Sequence, residues 1–144
     1  MLAVALVFSL IRLHNYKENL EELYNILRIE SAFYYTRDVY LKHDPEVYSN
    51  DYLTLVKLDQ FLVSKDEKWD ELGKLVHAVS QNVFPNSKYR QEVSEKLGAL
   101  EIYPEVRDGI AVLIVDIDEL KALTEEIENL PPDFSDAATQ GKTP

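Results

Sequence analysis

Residues 2–43 read LAVALVFSLIRLHNYKENLEELYNILRIESAFYYTRDVYLKH and contain neither proline nor glycine. Apolar side chains recur here every three or four residues, the spacing of one face of an α-helix; they are Leu6, Leu13, Leu20, Leu23 and Leu27, with Ile26, Ile29 and Phe33 widening the face. An unbroken helix would be roughly 60 Å long at 1.5 Å per residue. The other predicted helices are too short to cover it. We therefore expect either a break near Phe33–Thr36 or an apolar start that projects from the body.

The rest of the chain divides into shorter helical segments. Asp44 and Pro45 end the first helix and start the next, because proline cannot continue a helix but fits its first position. The spacing predicts a second helix over Ser49–Ser64, a third capped by Ser64 or Asp66, a fourth, and a fifth from Pro104 to Leu130. Their apolar ridges are, in order, Tyr52, Leu55, Leu58 and Leu62; Trp69, Leu72, Val76, Val79 and Val83; Tyr89, Val93, Leu97 and Leu100; and Val106, Ile110, Leu113, Ile117, Leu120, Ile127 and Leu130.

Together these segments predict an all-α, up-and-down bundle of about five helices in which the first and last are longest. The 144 residues are enough for one domain, which we place at residues 1–130, and residues 131–144 read as a flexible polar tail. One alternative stays open within the fifth helix. The short apolar run Ile110–Val115 also fits a buried strand.

The first eleven residues are uncharged, and Ser9 is their only polar side chain. Such a run is shorter than the roughly 20 residues that span a bilayer, and it lacks the features of a secretory signal. Three interpretations remain open: a buried core segment, the end of a membrane anchor, or an exposed docking stripe. The anchor and docking interpretations place Leu2, Leu6 and Leu10 at the contact. In the anchor interpretation Arg12, His14 and Lys17 lie at the cytoplasmic membrane surface.

Charge is unevenly distributed along the chain, whose net charge is −11. Residues 1–43 hold five basic and five acidic side chains, whereas residues 44–144 hold ten basic and 21 acidic ones. An acidic surface repels phosphate backbones and anionic lipid, so we expect no nucleic-acid partner for that part. It favours solubility, or alternatively a basic protein partner.

Tyrosines cluster in the same neutral part of the chain. Seven of the nine lie within residues 16–52; they are Tyr16, Tyr24, Tyr34, Tyr35, Tyr40, Tyr48 and Tyr52. Tyrosine serves both in cores and at protein interfaces. Tyr34 and Tyr35 are adjacent and cannot both face inwards. We therefore treat Tyr16, Tyr24, Tyr34, Tyr35 and Tyr40 as candidate binding residues, with core packing as the alternative.

Motifs for metal, cofactor or nucleophilic chemistry are absent from the sequence. There is no cysteine, no Gly-rich phosphate loop and no HExxH, and none of His14, His43 and His77 follows a glutamate by three residues. Asp116 and Asp118 would point about 200° apart on a helix and could not share an ion. We predict no metal and no cofactor.

Residues 37–43 read RDVYLKH, an arginine and a histidine separated by five residues with a polar residue directly after the arginine. This spacing resembles the signature of the HEPN superfamily, small α-helical bundles that include metal-independent ribonucleases. The resemblance implies that Arg37 binds phosphate and that His43 acts in acid–base cleavage. The motif lies earlier in the chain than that family places it. A simpler interpretation is a cationic last turn that offsets the helix dipole.

Three functions follow from these patterns. The first is a non-enzymatic binding, regulatory or accessory module that engages a basic or membrane-bound protein through its acidic half or its Tyr-rich first helix. The second is the soluble domain of a membrane-tethered protein. The third is a HEPN-like ribonuclease. We expect a cytoplasmic protein, with membrane association through residues 1–11 as the alternative.

Overall fold

The computed structural model describes residues 2–42, 62–83 and 87–131. The chain there forms, in order, α1 (Leu2–Tyr34), a π-helix (Tyr35–Tyr40), α2 (Glu67–Asn82), a 3-10 turn (Ser87–Tyr89), α3 (Arg90–Ala99), β1 (Tyr103–Arg107), β2 (Ile110–Ile114) and α4 (Ile117–Glu128). The prediction of a mostly helical protein is therefore confirmed. The predicted five-helix bundle is not matched, because a β-hairpin replaces the start of the last helix.

The hairpin corrects the prediction of a helix beginning at Pro104. β1 and β2 pair antiparallel, with Tyr103 opposite Ile114 and Arg107 opposite Ile110. Asp108 and Gly109 form the turn, and both have positive φ, 51° and 77°. Asp-Gly is among the strongest signals for a two-residue hairpin turn with this backbone. This local preference outweighs the helical spacing of Val106 and Ile110, and it leaves α4 much shorter than predicted.

The first helix continues past the predicted break but changes its pitch. The Leu41 N–H donates to the Thr36 carbonyl, a bond across five residues that defines the wider π-helical turn. This change begins at Tyr35, inside the predicted Phe33–Thr36 region. His43 and most of the predicted helix Ser49–Ser64 lie outside the described residues. The three residues of that helix that are described, 62–64, are not helical.

The predictions for α2 and α3 are confirmed at the level of single side chains. Asp66 caps α2 by accepting hydrogen bonds from Lys68 N and Trp69 N. All nine predicted ridge residues of the two helices are buried; they are Trp69, Leu72, Val76, Val79, Val83, Tyr89, Val93, Leu97 and Leu100. α2 packs most extensively on α4, and the second half of α1 covers α2. The Trp69 indole N–H donates to the Ala111 carbonyl at 3.2 Å and fastens the hairpin to this core.

Candidate interaction surface on the first helix

α1 leaves the body of the protein at Glu22. The Glu22 carboxylate accepts hydrogen bonds from the Ser64 hydroxyl and, at 2.9 Å, from Lys65 N. Lys65 also reaches back to Glu18, with its ammonium 3.5 Å from the carboxylate. Residues 5–21, before this attachment, are all exposed. At 1.5 Å per residue, residues 2–21 extend roughly 30 Å from the body.

The projecting part of α1 and the turn after it carry a dense set of exposed apolar side chains. Each is at least 45% exposed; they are Leu6, Val7, Phe8, Leu10, Ile11, Leu13, Tyr16, Leu20, Leu23, Tyr24 and Leu27. The interpretation of residues 1–11 as buried core is therefore wrong for residues 5–11, including Leu6 and Leu10. The side chain of Leu2 is outside the described part. The exposure of residues 5–11 is what a projecting apolar start requires, and the anchor and docking interpretations stay predictions.

Six of the α1 residues form one continuous strip, which we call the α1 stripe: Leu10, Leu13, Lys17, Leu20, Tyr24 and Leu27. At about 100° per residue they fall on one side of the helix. The residues that attach α1 to the body, Glu22, Ile26 and Ile29, fall about 180° away on the same reckoning. The exposure of the side chains agrees with this division of the helix into two sides. Ile29, on the attached side, is 0% exposed, whereas Leu27, in the stripe, is 51% exposed. The α1 stripe consequently faces away from the body along its whole length.

Charge changes sign along the same helix. The basic side chains of residues 1–17 are Arg12, His14 and Lys17, and no acidic side chain lies among them, whereas Glu18, Glu21 and Glu22 follow within residues 18–22. Two pairs join the groups: His14 Nε2 lies 3.3 Å from the Glu18 carboxylate, and Lys17 Nζ lies 3.7 Å from that of Glu21. These side chains are largely exposed, so each pair stabilises the helix only weakly. The two pairs do not alter the order of charges along α1, in which basic side chains come before acidic ones.

The five candidate tyrosines separate into three environments. Tyr16 and Tyr24 are 68% and 63% exposed and lie on the projecting face. Tyr34 and Tyr35 are half-buried against the core. Tyr40 is only 4% exposed, and the Arg90 guanidinium lies 4.6 Å from its ring centre. Tyr40 is thus a core residue that a partner cannot reach in this structure, which corrects its place among the candidates.

Arg37, the arginine of the HEPN-like spacing, forms an ion pair with the adjacent residue, Asp38. It donates to both carboxylate oxygens of Asp38, at 3.0 and 2.8 Å, and Lys42 reaches the same carboxylate at 3.2 Å. The Arg37 guanidinium also lies 4.8 Å from the Tyr34 ring. Hydrogen bonding from Arg37 holds the pKa of Asp38 below its ordinary value and raises the pKa of Arg37. His43 is not among the described residues, so the paired geometry that cleavage requires stays a prediction.

An open polar cleft between α2, the hairpin and α4 was a second candidate. Its lining includes Lys68, Glu101, Asp116 and Glu119. Asp116 already caps α4 by accepting from Asp118 N and Glu119 N. Over the described ranges, no group of three or more potential metal ligands lies together. The described residues of the cleft therefore form no assembled metal site.

No protein-family model matches this chain, and no curated protein or solved structure matches it either. Within residues 2–42, 62–83 and 87–131, no helix combines the length and hydrophobicity needed to cross a bilayer. Packing among the described residues leaves the α1 stripe uncovered. From the sequence, Leu10 was a candidate docking residue and Tyr24 a candidate binding residue, but the stripe as a whole was not identified. The seven-residue recurrence of Leu6, Leu13, Leu20 and Leu27 was the signal that could have identified it.

Proposed function

We propose that this chain is a non-enzymatic binding or accessory module that docks onto another protein through the α1 stripe. One observation carries the proposal: Leu10, Leu13 and Leu20 are 58%, 67% and 55% exposed on a helix that projects from the body. Contiguous apolar surface of this kind on a folded protein marks interaction sites, because leaving it in water is unfavourable.

The projecting helix itself gains from a partner. Isolated helices of this length are marginal in water, and helices in proteins owe most of their stability to packing of one face. Residues 5–21 are all exposed, so no face of this segment is buried on the described part of the body. A protein that covers the α1 stripe would therefore bury apolar area and stabilise the helix at once.

Photo-crosslinking in the native host tests this function. A photoreactive phenylalanine analogue is placed at Leu20 and, as a matched control, at Val106, an apolar residue of β1 that is 75% exposed. We expect protein crosslinks from position 20 that position 106 does not give. Val106 is apolar and exposed like Leu20, but it lies outside the α1 stripe. Equal crosslinking from both positions, or none from position 20, would contradict the proposal.

The tip of α1, residues 5–11, favours membrane binding as a second candidate function. Its side chains are apolar except for Ser9, and apolar residues lie on both sides of the helix, with Phe8 73% and Ile11 54% exposed on the side away from the stripe. Arg12, His14 and Lys17 follow directly, where they would meet anionic headgroups. Flotation with anionic vesicles tests this candidate. We expect Phe8→Asp to abolish flotation and Val106→Asp to leave it unchanged; no flotation of the original protein would exclude it.

A further inference from the structure

We infer that the occupant of the α1 stripe is a second copy of this chain, and that the two α1 helices pair antiparallel as a short coiled coil. The inference rests on the proposed function and names the partner. It draws on three properties of the described part of α1: the period of its apolar residues, the side of the helix on which they lie, and the order of its charges.

The period is the heptad of coiled coils. Leucine stands at every seventh residue, Leu6, Leu13, Leu20 and Leu27, and Leu10 and Tyr24 stand at the intervening positions of the same strip. Apolar residues repeating every 3.5 residues on average let each side chain insert between four residues of a facing helix. Lys17 interrupts this seam, and a single lysine there specifies register at some cost in stability. A core face on a globular body has no need of a strict seven-residue repeat.

The geometry leaves room for a second helix. The α1 stripe lies about 180° around the helix from Ile26 and Ile29, which contact the body. A second helix laid along Leu10–Leu27 therefore meets none of the described residues of the body that carries the stripe. The groove that receives it is lined by Leu20, Glu21, Leu23, Tyr24 and Leu27.

The charge order selects the antiparallel direction. Glu18 and Glu22 face Lys65 on the body and do not border the stripe. Of the other charges, Arg12, His14 and Lys17 precede Glu21, so parallel copies would set like charge beside like charge and oppose the two Lys17 side chains in the seam. Antiparallel copies set the basic part of each helix beside the acidic part of the other. The pair is then self-complementary, as a two-fold symmetric interface must be.

One antiparallel register satisfies both the seam and the charges. Leu10 packs beside Leu27 of the second copy, Leu13 beside Tyr24, and Lys17 beside Leu20. The Lys17 stem then lies over the seam while its ammonium reaches Glu21 of the second copy at the edge. The two bodies lie at opposite ends of the paired segment and on opposite sides of it. Among residues 2–42, 62–83 and 87–131, neither body obstructs the other.

Sedimentation of the purified full-length chain over a concentration series tests self-pairing. We expect a reversible monomer–dimer equilibrium. Leu20→Asp should weaken it more than about tenfold, because it places an unpaired charge in the seam. Val106→Asp, the matched exposed control, should leave it unchanged. A monomer at every concentration, or a dimer that Leu20→Asp leaves intact, would overturn the inference.

Engineered thiols test the direction, and the chain suits them because it has no cysteine of its own. A mixture of Leu13→Cys and Tyr24→Cys chains should form a mixed disulfide under mild oxidation, whereas each variant alone should stay reduced. Disulfides formed by each variant alone would instead show parallel helices and overturn the inference. Both variants change residues that are already exposed, so circular dichroism should report an intact fold.

The result for the partner is separable from the result for the function. A chain that is monomeric when pure but crosslinks through position 20 to a different protein refutes self-pairing and retains the proposed function. A monomer that floats with anionic vesicles and gives no protein crosslink refutes both and supports membrane binding through the tip. A dimer that is sensitive to Leu20→Asp and forms the mixed disulfide supports the inference.

Discussion

Arg90 donates a hydrogen bond from Nη2 to the carbonyl oxygen of Tyr40, and its guanidinium lies 4.6 Å from the centre of the Tyr40 ring. Arg90 is the first residue of α3 and is only 8% exposed. Tyr40 ends the π-helix, where carbonyl groups no longer have a partner in the next turn. One buried cation thus fastens the end of the long first helix to the third helix.

Replacing Arg90 should therefore lower the free energy of unfolding more than replacing an exposed arginine would. We expect Arg90→Ala to lower the free energy of unfolding by about 2–4 kcal/mol, because it removes a charge-assisted hydrogen bond and leaves the Tyr40 carbonyl buried. Urea titration followed by the fluorescence of Trp69, the only tryptophan, measures this. Arg107→Ala, which removes an exposed ion pair with Glu105, should cost less than about 1 kcal/mol. Equal losses would contradict the role of Arg90.

The helix α2 could be predicted from sequence because two independent signals agree there. In α2 the apolar spacing from Trp69 to Val83 coincides with a capping aspartate, Asp66, directly before it. The hairpin was predicted only in part: the alternative of a strand over Ile110–Val115 matches β2, but its pairing with β1 was not predicted because the signals disagree. Val106, Ile110 and Leu113 have helical spacing, while Asp108 and Gly109 adopt the positive φ of a tight turn. The turn preference of Asp108 and Gly109 outweighed the helical spacing of the apolar residues around them.

The candidate surface could be only partly predicted, for a different reason. Periodicity shows which residues share a face of α1, but burial depends on what the rest of the chain places against that face. Ile29 and Leu27 lie two residues apart on opposite sides, and only Ile29 is buried. The sequence analysis counted Ile26, Ile29 and Phe33 as part of the same apolar face as Leu20 and Leu27. The buried and the exposed side of α1 were therefore not distinguished. Only the length of α1 indicated an exposed surface, because the other predicted helices are too short to cover it.

The caps of α2 and α4 should each contribute measurable stability. Asp66 Oδ1 accepts from Lys68 N and Trp69 N at 3.0 and 3.2 Å, and Asp116 makes the equivalent bonds at 2.9 and 3.2 Å. We expect Asp66→Ala to lower the free energy of unfolding by about 1 kcal/mol, and Asp116→Ala by a similar amount. Asp66→Ser keeps a cap and should remain close to the original protein in the same urea titration. An equally large loss for serine would mean that capping is not the cause.

The carboxylate of Asp38 should make part of the stability depend on pH. Hydrogen bonds from Arg37 and then Lys42 lower its pKa in the folded protein below the ordinary value of 3.8. Its contribution is therefore complete above that value and is lost as the pH falls through the lower folded pKa. We expect Asp38→Asn to reduce stability at neutral pH by less than about 1 kcal/mol, since the side chain is 39% exposed.

Urea midpoints at neutral pH and at about pH 3 check this dependence. The difference between the original protein and Asp38→Asn should shrink towards the acid end. Glu125→Gln, a change at an exposed carboxylate of α4, serves as the control and should give a small difference. A difference for Asp38→Asn that grows on acidification would contradict the sign of the effect.

Gly73 and Gly98 should respond in opposite directions to the same substitution. Both lie in helices, where alanine is favoured over glycine by about 1 kcal/mol. A Cβ on Gly73 would lie 2.5 Å from the carbonyl oxygen of Leu62, whereas one on Gly98 would meet nothing within 4 Å. The clash involves backbone, so the segment before α2 must shift. We expect Gly73→Ala to lower the free energy of unfolding by about 1–3 kcal/mol, and Gly98→Ala to raise it by about 0.5–1 kcal/mol. Urea titration measures both, and a gain in both variants would show that Leu62 does not pack on Gly73.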